Sequence, residues 1–300
     1  MGFANRTMGK TPKEQCSSYQ NGETKMSFSV NTNTGALNAL QYLTQTQGQM
    51  ATTQNAISSG LKVANARDNG AVYAIAQNQR ASVAGYTAVI NSINNGTSAV
   101  DVALSAGQSI SDLLIQMKQQ ALSAADSSLD TASRQSINAN FQALLGQITT
   151  IVSNAVFNGF NLVNGSTTKI MALASSDGSR HVTTLAQNLS VSGSIVTLKS
   201  TASVSTQSKA SALVSTIQSS LTNVDSALAK LSSGAAKFSI QATFAQNLSD
   251  TLTTGIGNLV DANMAQESAQ LQSLQVKQQL GIQALSIANQ APQAILSLFH

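Results

Sequence analysis

Few side chains in this 300-residue sequence are of types that do chemistry, and their spacing is poor for it. The two histidines, His181 and His300, cannot supply an HExxH metal site, and His181 follows Arg180 beside an Asp-Gly turn, the setting of a solvated pair. Asp126 and Asp130 stand four apart, where a helix end or connection accounts for them better than acid–base work. A single cysteine, Cys16, excludes an intramolecular disulfide framework and any CxxC metal or redox site. Neither GxSxG nor a P-loop occurs. No catalytic, cofactor-binding or metal residues are therefore assigned, and an enzyme is not expected.

The elements around these groups say more. Only 9% of residues are charged, while the hydrophobic share is an ordinary 42%. Ser, Thr, Asn and Gln fill the difference with 123 residues. The charges are also absent from particular places: none lies between Lys25 and Lys62, and no charged side chain follows Lys277. Surfaces that stay in water usually carry charge, so two uncharged, apolar ends read as segments that other protein will cover. The net charge of +4 falls to +2 once residues 1–25 are set aside, since that leaves 12 basic and 10 acidic side chains. The basic residues are scattered, which argues against a nucleic-acid partner. No apolar run approaches a membrane span, Ala71 to Ala76 being among the longest.

Residues 1–25, with Cys16, Pro12, Arg6, Lys10, Lys13 and Lys25, have no apolar periodicity and no signal-peptide core, and read as a disordered leader. From Met26 to Ala291 there is no proline, which permits very long helices. Apolar residues recur at three–four spacing through Val89, Ile93, Val100, Leu104, Ile110, Leu114 and Met117, then Ile137, Phe141, Leu144 and Ile148, and again from Ile217 through Leu231 to Leu259. Residues from about 156 to 205 break the pattern with Asn158-Gly159, Asn164-Gly165 and Asp177-Gly178. The β-formers Lys169–Ala174 and His181–Leu185 flank the last of these, a hairpin signal. The expected fold is mainly α: long antiparallel helices in a coiled-coil-like bundle with a small β-hairpin insert. The expected segments are 26–65 and 263–300 for assembly, 66–165 and 206–262 for the bundle, and 166–205 for a variable β excursion.

On a helical wheel Leu271, Leu274, Ile282 and Leu285 gather on one side of the last helix, and Val276, Leu280 and Ile287 on the other. Two opposed apolar stripes call for neighbours on two sides. Leu37, Leu40, Leu43, Met50 and Ile57 are expected to share one broad face of the first helix. Both ends are expected to order only on association.

These ends carry the resemblance. Ser-Val-Asn-Thr-Asn-Thr-Gly-Ala-Leu-Asn-Ala-Leu (29–40) resembles the opening of bacterial flagellins, as does Ser-Ser-Gly-Leu-Lys-Val-Ala-Asn-Ala-Arg-Asp-Asn-Gly-Ala (58–71). Phe157-Asn158-Gly159 with Leu162-Val163-Asn164-Gly165 is similar to the family's turn after its second long helix, and Ala288 to Phe299 to its C-terminal signature. The short insert resembles the alphaproteobacterial members. The resemblance implies a self-assembling subunit of the extracellular flagellar filament, its terminal helices pairing as an inner coiled coil and its central insert facing outward, exported unfolded by the type III apparatus without a cleaved signal peptide. It implies partners in copies of itself, an export chaperone, and hook-associated and cap proteins. It makes Arg67-Asp68 an interface loop and Ser175, Ser176, Ser179, Ser190 and Ser192 glycosylation candidates on the insert. The stretch Leu113–Ala121 has no arginine where many flagellins do, so recognition by the innate Toll-like receptor is not expected. A hook-associated junction protein and a surface-displayed binder of acidic polysaccharide are the alternative readings.

Overall fold

The structure, a computed structural model, describes residues 32–296, with side chains through residue 290. The leader 1–25, Cys16 and His300 lie outside the described residues. The chain divides into two compact units. One contains the first helix and the last; the other is the continuous stretch Ser59–Asn263.

The larger unit is built on two long helices, α2 (Gly70–Ala124) and α4 (Gln207–Val260), with α3 (Thr131–Asn154) beside α2. Gly96 faces Phe238 and Gly107 faces Leu228, so α2 and α4 run antiparallel. Asn69 caps α2, Asp130 caps α3 and Thr206 caps α4, each accepting from a backbone N–H in the first turn. The expected three–four stripes form the core: Val89, Ile93, Val100, Ile110, Leu114, Met117, Phe141, Ile148, Ile217, Val224, Leu231 and Phe238 are fully buried. The connection between α2 and α3 is closed by one charge. Arg134 donates to the carbonyls of Ala124, Asp126 (3.1 Å) and Leu129 (3.1 Å). It places a cation at the C-terminal end of α2, where the helix dipole favours it.

The hairpin is β1 (Lys169–Leu173) and β2 (His181–Leu185), antiparallel with Met171 opposite Thr183. Its place is set by two close approaches that leave no room for a side chain. A Cβ on Gly234 of α4 would overlap Thr184 Cγ2, and one on Gly85 of α2 would stand 2.6 Å from the Ser176 carbonyl. The excursion after β2 contributes part of the core. It has no regular secondary structure, yet Leu189, Val196, Leu198 and Val204 are fully buried. These residues cap a core that the helices alone leave open.

At its other end this unit is tied by Leu61 pairing with Asp261, by Lys62 N–H on the Val260 carbonyl (2.8 Å) and by Ala262 N–H on the Gly60 carbonyl (2.8 Å). Val63, Ala76, Ile256 and Val260 form a small separate core there. The segment around residues 59–65 thus groups with the long helices, and the N-terminal stretch of the first unit ends at Ser58.

Candidate assembly interface

The first unit holds α1 (Thr34–Ser59) and α5 (Met264–Leu296). Asn33 Nδ2 donates to the Ala288 carbonyl (2.7 Å), and the Gly281 position meets Leu43 Cδ1. Asn33 near Ala288 and Leu43 near Gly281 make the two helices antiparallel.

Burial on both helices follows a seven-residue repeat. On α1 the covered or half-covered positions are Ala36, Ala39, Leu43, Thr46, Met50, Thr53 and Ile57, with Ala56 beside them. On α5 they are Glu267, Leu271, Leu274, Gln278, Gly281, Leu285 and Ala288, and every other side chain from Met264 to Gln290 is exposed. Alternating steps of three and four are the seam of a two-helix coiled coil. Leu274, 2% exposed, is the best covered side chain of α5 among the described residues. The small seam residues, Ala36, Ala39 and Gly281, let the backbones approach.

This seam sorts the expected interface residues. Leu43, Met50, Ile57, Leu271, Leu274 and Leu285 lie on it, within one chain. Leu37 and Leu40 do not: both are exposed, correcting the single broad face expected of the first helix. Ile282 is exposed as well and does not share the face of Leu271, Leu274 and Leu285. The physical reason is that a 3.5-residue repeat keeps a narrow two-residue stripe in register. Leu37, Leu40 and Ile282 are apolar but fall between its steps. Val276, Leu280 and Ile287 are exposed on α5 as well. Tyr42 and Met264 are further exposed apolar residues that sequence reasoning did not single out.

The Arg67-Asp68 loop is organised from within. Asp68 Oδ2 accepts the backbone N–H groups of Ala64 (2.9 Å) and Asn65 (3.0 Å), and Asn65 Oδ1 accepts that of Arg67 (2.9 Å). The Asp68 carboxylate therefore closes its own turn, while the Arg67 side chain is exposed.

The hairpin serines are partly committed. Asp177 Oδ1 accepts the Ser175 hydroxyl and both the N–H (3.1 Å) and hydroxyl (2.9 Å) of Ser179. Those hydrogen bonds, the Ser175 hydroxyl first, lower the Asp177 pKa from 3.8 to about 2. Ser190 donates to the Asn164 carbonyl (3.3 Å) and Ser192 to the Leu198 carbonyl (3.4 Å). Ser179 and Ser192 are exposed; Ser175, Ser176 and Ser190 are half-buried. Asp126 and Asp130 serve the α2–α3 connection as their spacing suggested. Both carboxyls are held below the usual range, Asp126 chiefly by the Ser128 N–H and Asp130 by Ser133. Among the described residues no group of three His, Cys, Asp or Glu side chains could hold a metal, and no helix is long and apolar enough to cross a membrane.

A long-helix core joined to a paired-helix unit that leaves apolar side chains in water defines a self-associating structural protein. Its relatives say which kind. Residues 30–168 match the bacterial flagellin N-terminal helical region and residues 214–299 the bacterial flagellin C-terminal helical region. Flagellin FljM of Caulobacter vibrioides is 47% identical over 272 residues, covering 91% of this chain and 98% of that protein. A flagellin of Brucella melitensis is 35% identical over 282 residues, at 91% and 99% coverage. The crystal structure of Bacillus cereus flagellin overlaps 56% of this chain and 91% of its own, with a TM-score of 0.41 and 17% identity. The chain belongs to the bacterial flagellins, of the alphaproteobacterial type. It is a structural subunit of the extracellular flagellar filament, where it associates with copies of itself, and not an enzyme. The hook-junction and acidic-glycan alternatives find no support among these relatives.

Proposed function

We propose that filament assembly by this chain runs through the uncovered apolar residues of the paired-helix unit. Leu43, Met50, Ile57, Leu271, Leu274 and Leu285 hold α1 to α5 within one subunit. Leu37 and Leu40 on α1, with Val276, Leu280, Ile282 and Ile287 on α5, then meet neighbouring copies. The observation that carries this is that these exposed apolar side chains, all but Val276 beside Lys277, fall in the charge-free stretches before Lys62 and after Lys277. Water would otherwise face those residues with no charge to compensate. The helices order as they associate, so folding of the ends and polymerisation are one step. The exposed Arg67 supplies a charged contact to a neighbour, and Asp68 shapes the loop that presents it.

An unassembled apolar end needs cover, which an export chaperone provides before the type III apparatus, and hook-associated and cap proteins provide at the two ends of a filament. Ser175, Ser176, Ser179, Ser190 and Ser192 are the proposed glycan acceptors. Seeded polymerisation tests the central reading. Full-length chain should extend short seeds, while chains lacking residues 26–60 or 278–300 should stay soluble and helical. Filaments from either truncation, seen by electron microscopy, would refute it.

A further inference from the structure

Five Asn-Gly or Asp-Gly steps fall among the described residues: Asn69-Gly70, Asn95-Gly96, Asn158-Gly159, Asn164-Gly165 and Asp177-Gly178. Such steps share a reactivity, because a glycine leaves its own backbone nitrogen accessible to the preceding side chain. That nitrogen can attack the side-chain carbonyl carbon (Cγ). For asparagine the new N–C bond forms as the C–NH2 bond breaks, ammonia leaves, and a five-membered succinimide results. Water then opens the ring at either carbonyl, giving aspartate or isoaspartate. The reaction needs a side-chain amide free to turn toward the glycine nitrogen, and a glycine N–H that is not already committed.

The five steps differ in how firmly each side chain is held. Asn69 Oδ1 accepts the Val72 N–H (3.1 Å) as the cap of α2. Asn95-Gly96 lies inside α2, with Gly96 buried against Phe238. Asn164 Oδ1 accepts both the N–H (2.9 Å) and the hydroxyl (2.6 Å) of Ser166. Asp177 Oδ1 is held by Ser175 and Ser179. Asn158 is different. It is exposed and its amide makes no hydrogen bond among the described residues, at a φ of +48° followed by +81° at Gly159. That pair of positive angles is the two-residue turn for which Asn-Gly is the favoured sequence. The turn is closed by Phe157 N–H on the Phe160 carbonyl (2.9 Å) and Phe160 N–H on the Phe157 carbonyl (2.9 Å), an arrangement that leaves the Gly159 N–H unused among the described residues.

We propose that Asn158 is a site of spontaneous covalent modification, converting through a succinimide to aspartate and isoaspartate while the other four steps are held back. The demand for positive φ selects the Asn-Gly pair, and the same pair is the reactive one. Conversion changes more than one atom. Asn158 and Lys169 line the same open groove of about 540 Å³, so a carboxylate there gives Lys169 a counter-charge. Isoaspartate also inserts a methylene into the backbone, which the reciprocal Phe157–Phe160 hydrogen bonds cannot both accommodate.

The test is ageing of the full-length chain at physiological temperature and mildly alkaline pH in heavy-oxygen water, followed by peptide mapping. Cleavage after Arg134 and Lys169 places Asn158 and Asn164 in one peptide, so Asn158→Gly and Asn164→Gly variants assign the site. Asn158→Gly keeps the turn, since glycine accepts its φ. The parent peptide should acquire labelled aspartate and isoaspartate, Asn158→Gly should abolish that gain, and Asn164→Gly should leave it. Conversion at Asn158 should outpace that at Asn69 and Asn164 by about tenfold or more, the rate equivalent of one side-chain hydrogen bond that must first break. Equal or faster conversion at Asn164, or conversion persisting in Asn158→Gly, would overturn the assignment. So would an Asn158 as inert as Asn95.

Discussion

Replacing Val276, Leu280 and Ile287 together by serine removes the uncovered stripe of α5 without touching its seam to α1. These side chains are 55%, 58% and 68% exposed in the single chain. Full burial of a Val, Leu or Ile side chain is worth about 1.5–3 kcal/mol, and a little over half of that remains to be gained here, so each contributes about 1–2 kcal/mol on assembly. The triple variant therefore loses about 3–5 kcal/mol per subunit added, which raises the critical concentration for polymerisation by about a hundredfold to several thousandfold. The assay is seeded polymerisation with the soluble fraction measured after sedimentation, beside the circular dichroism of the unassembled chain. The dichroism should match the parent, because the ends order only on assembly and the larger unit, Ser59–Asn263, carries no substitution. A critical concentration within about threefold of the parent, with normal helix content, would refute the assignment of this stripe to subunit contacts, since it would correspond to less than about 1 kcal/mol.

Three further outcomes follow from the larger unit. Arg134→Met leaves the Ala124 carbonyl buried without its donor and should cost about 2–4 kcal/mol, read as a lower urea midpoint at unchanged slope; a loss under about 0.5 kcal/mol would contradict the role of Arg134 as the closure of the α2–α3 connection. Gly234→Ala forces a methyl against Thr184, an overpacking cost of about 1–3 kcal/mol partly offset by up to about 1 kcal/mol of helix propensity. Pairing it with Thr184→Ala should recover most of the loss, and an additive double mutant would rule out that contact. The Asp177 carboxyl, its pKa lowered from 3.8 to about 2, favours the folded hairpin while ionised. Its contribution is present above the ordinary carboxylate range and is lost as pH falls through about 2. Carbon-detected NMR titration of that carboxyl should show the low midpoint, and an ordinary value would mean that the Ser175 and Ser179 hydrogen bonds do not form.

The long helices are legible in the sequence because proline is absent and the apolar spacing is sustained, so the three–four period by itself places Val89, Phe141, Leu231 and Phe238 in a core. The hairpin is legible from Asp177-Gly178 and its β-forming flanks. The pairing of the ends is harder to read. Its seam mixes large apolar residues with Ala36, Ala39, Thr46, Thr53 and Gly281, residues with no strong apolar signal, while the conspicuous Leu37, Leu40 and Ile282 point to water. Side-chain size draws attention to the wrong stripe of α1; the seven-residue period identifies the right one. Burial of Leu189, Val196 and Leu198 from a loop leaves no periodic trace, because irregular backbone has none. The role of Arg134 is equally hidden, since the carbonyls that receive it are backbone groups that every sequence possesses.

The central claim is that the charge-free ends acquire their stable structure from neighbouring copies. Amide hydrogen exchange across Leu37–Ile57 and Leu271–Leu285, compared between unassembled chain and filament, measures this most directly. Weak protection before assembly and strong protection within the filament is the expected result. Strong protection of both helices in the unassembled chain would contradict it.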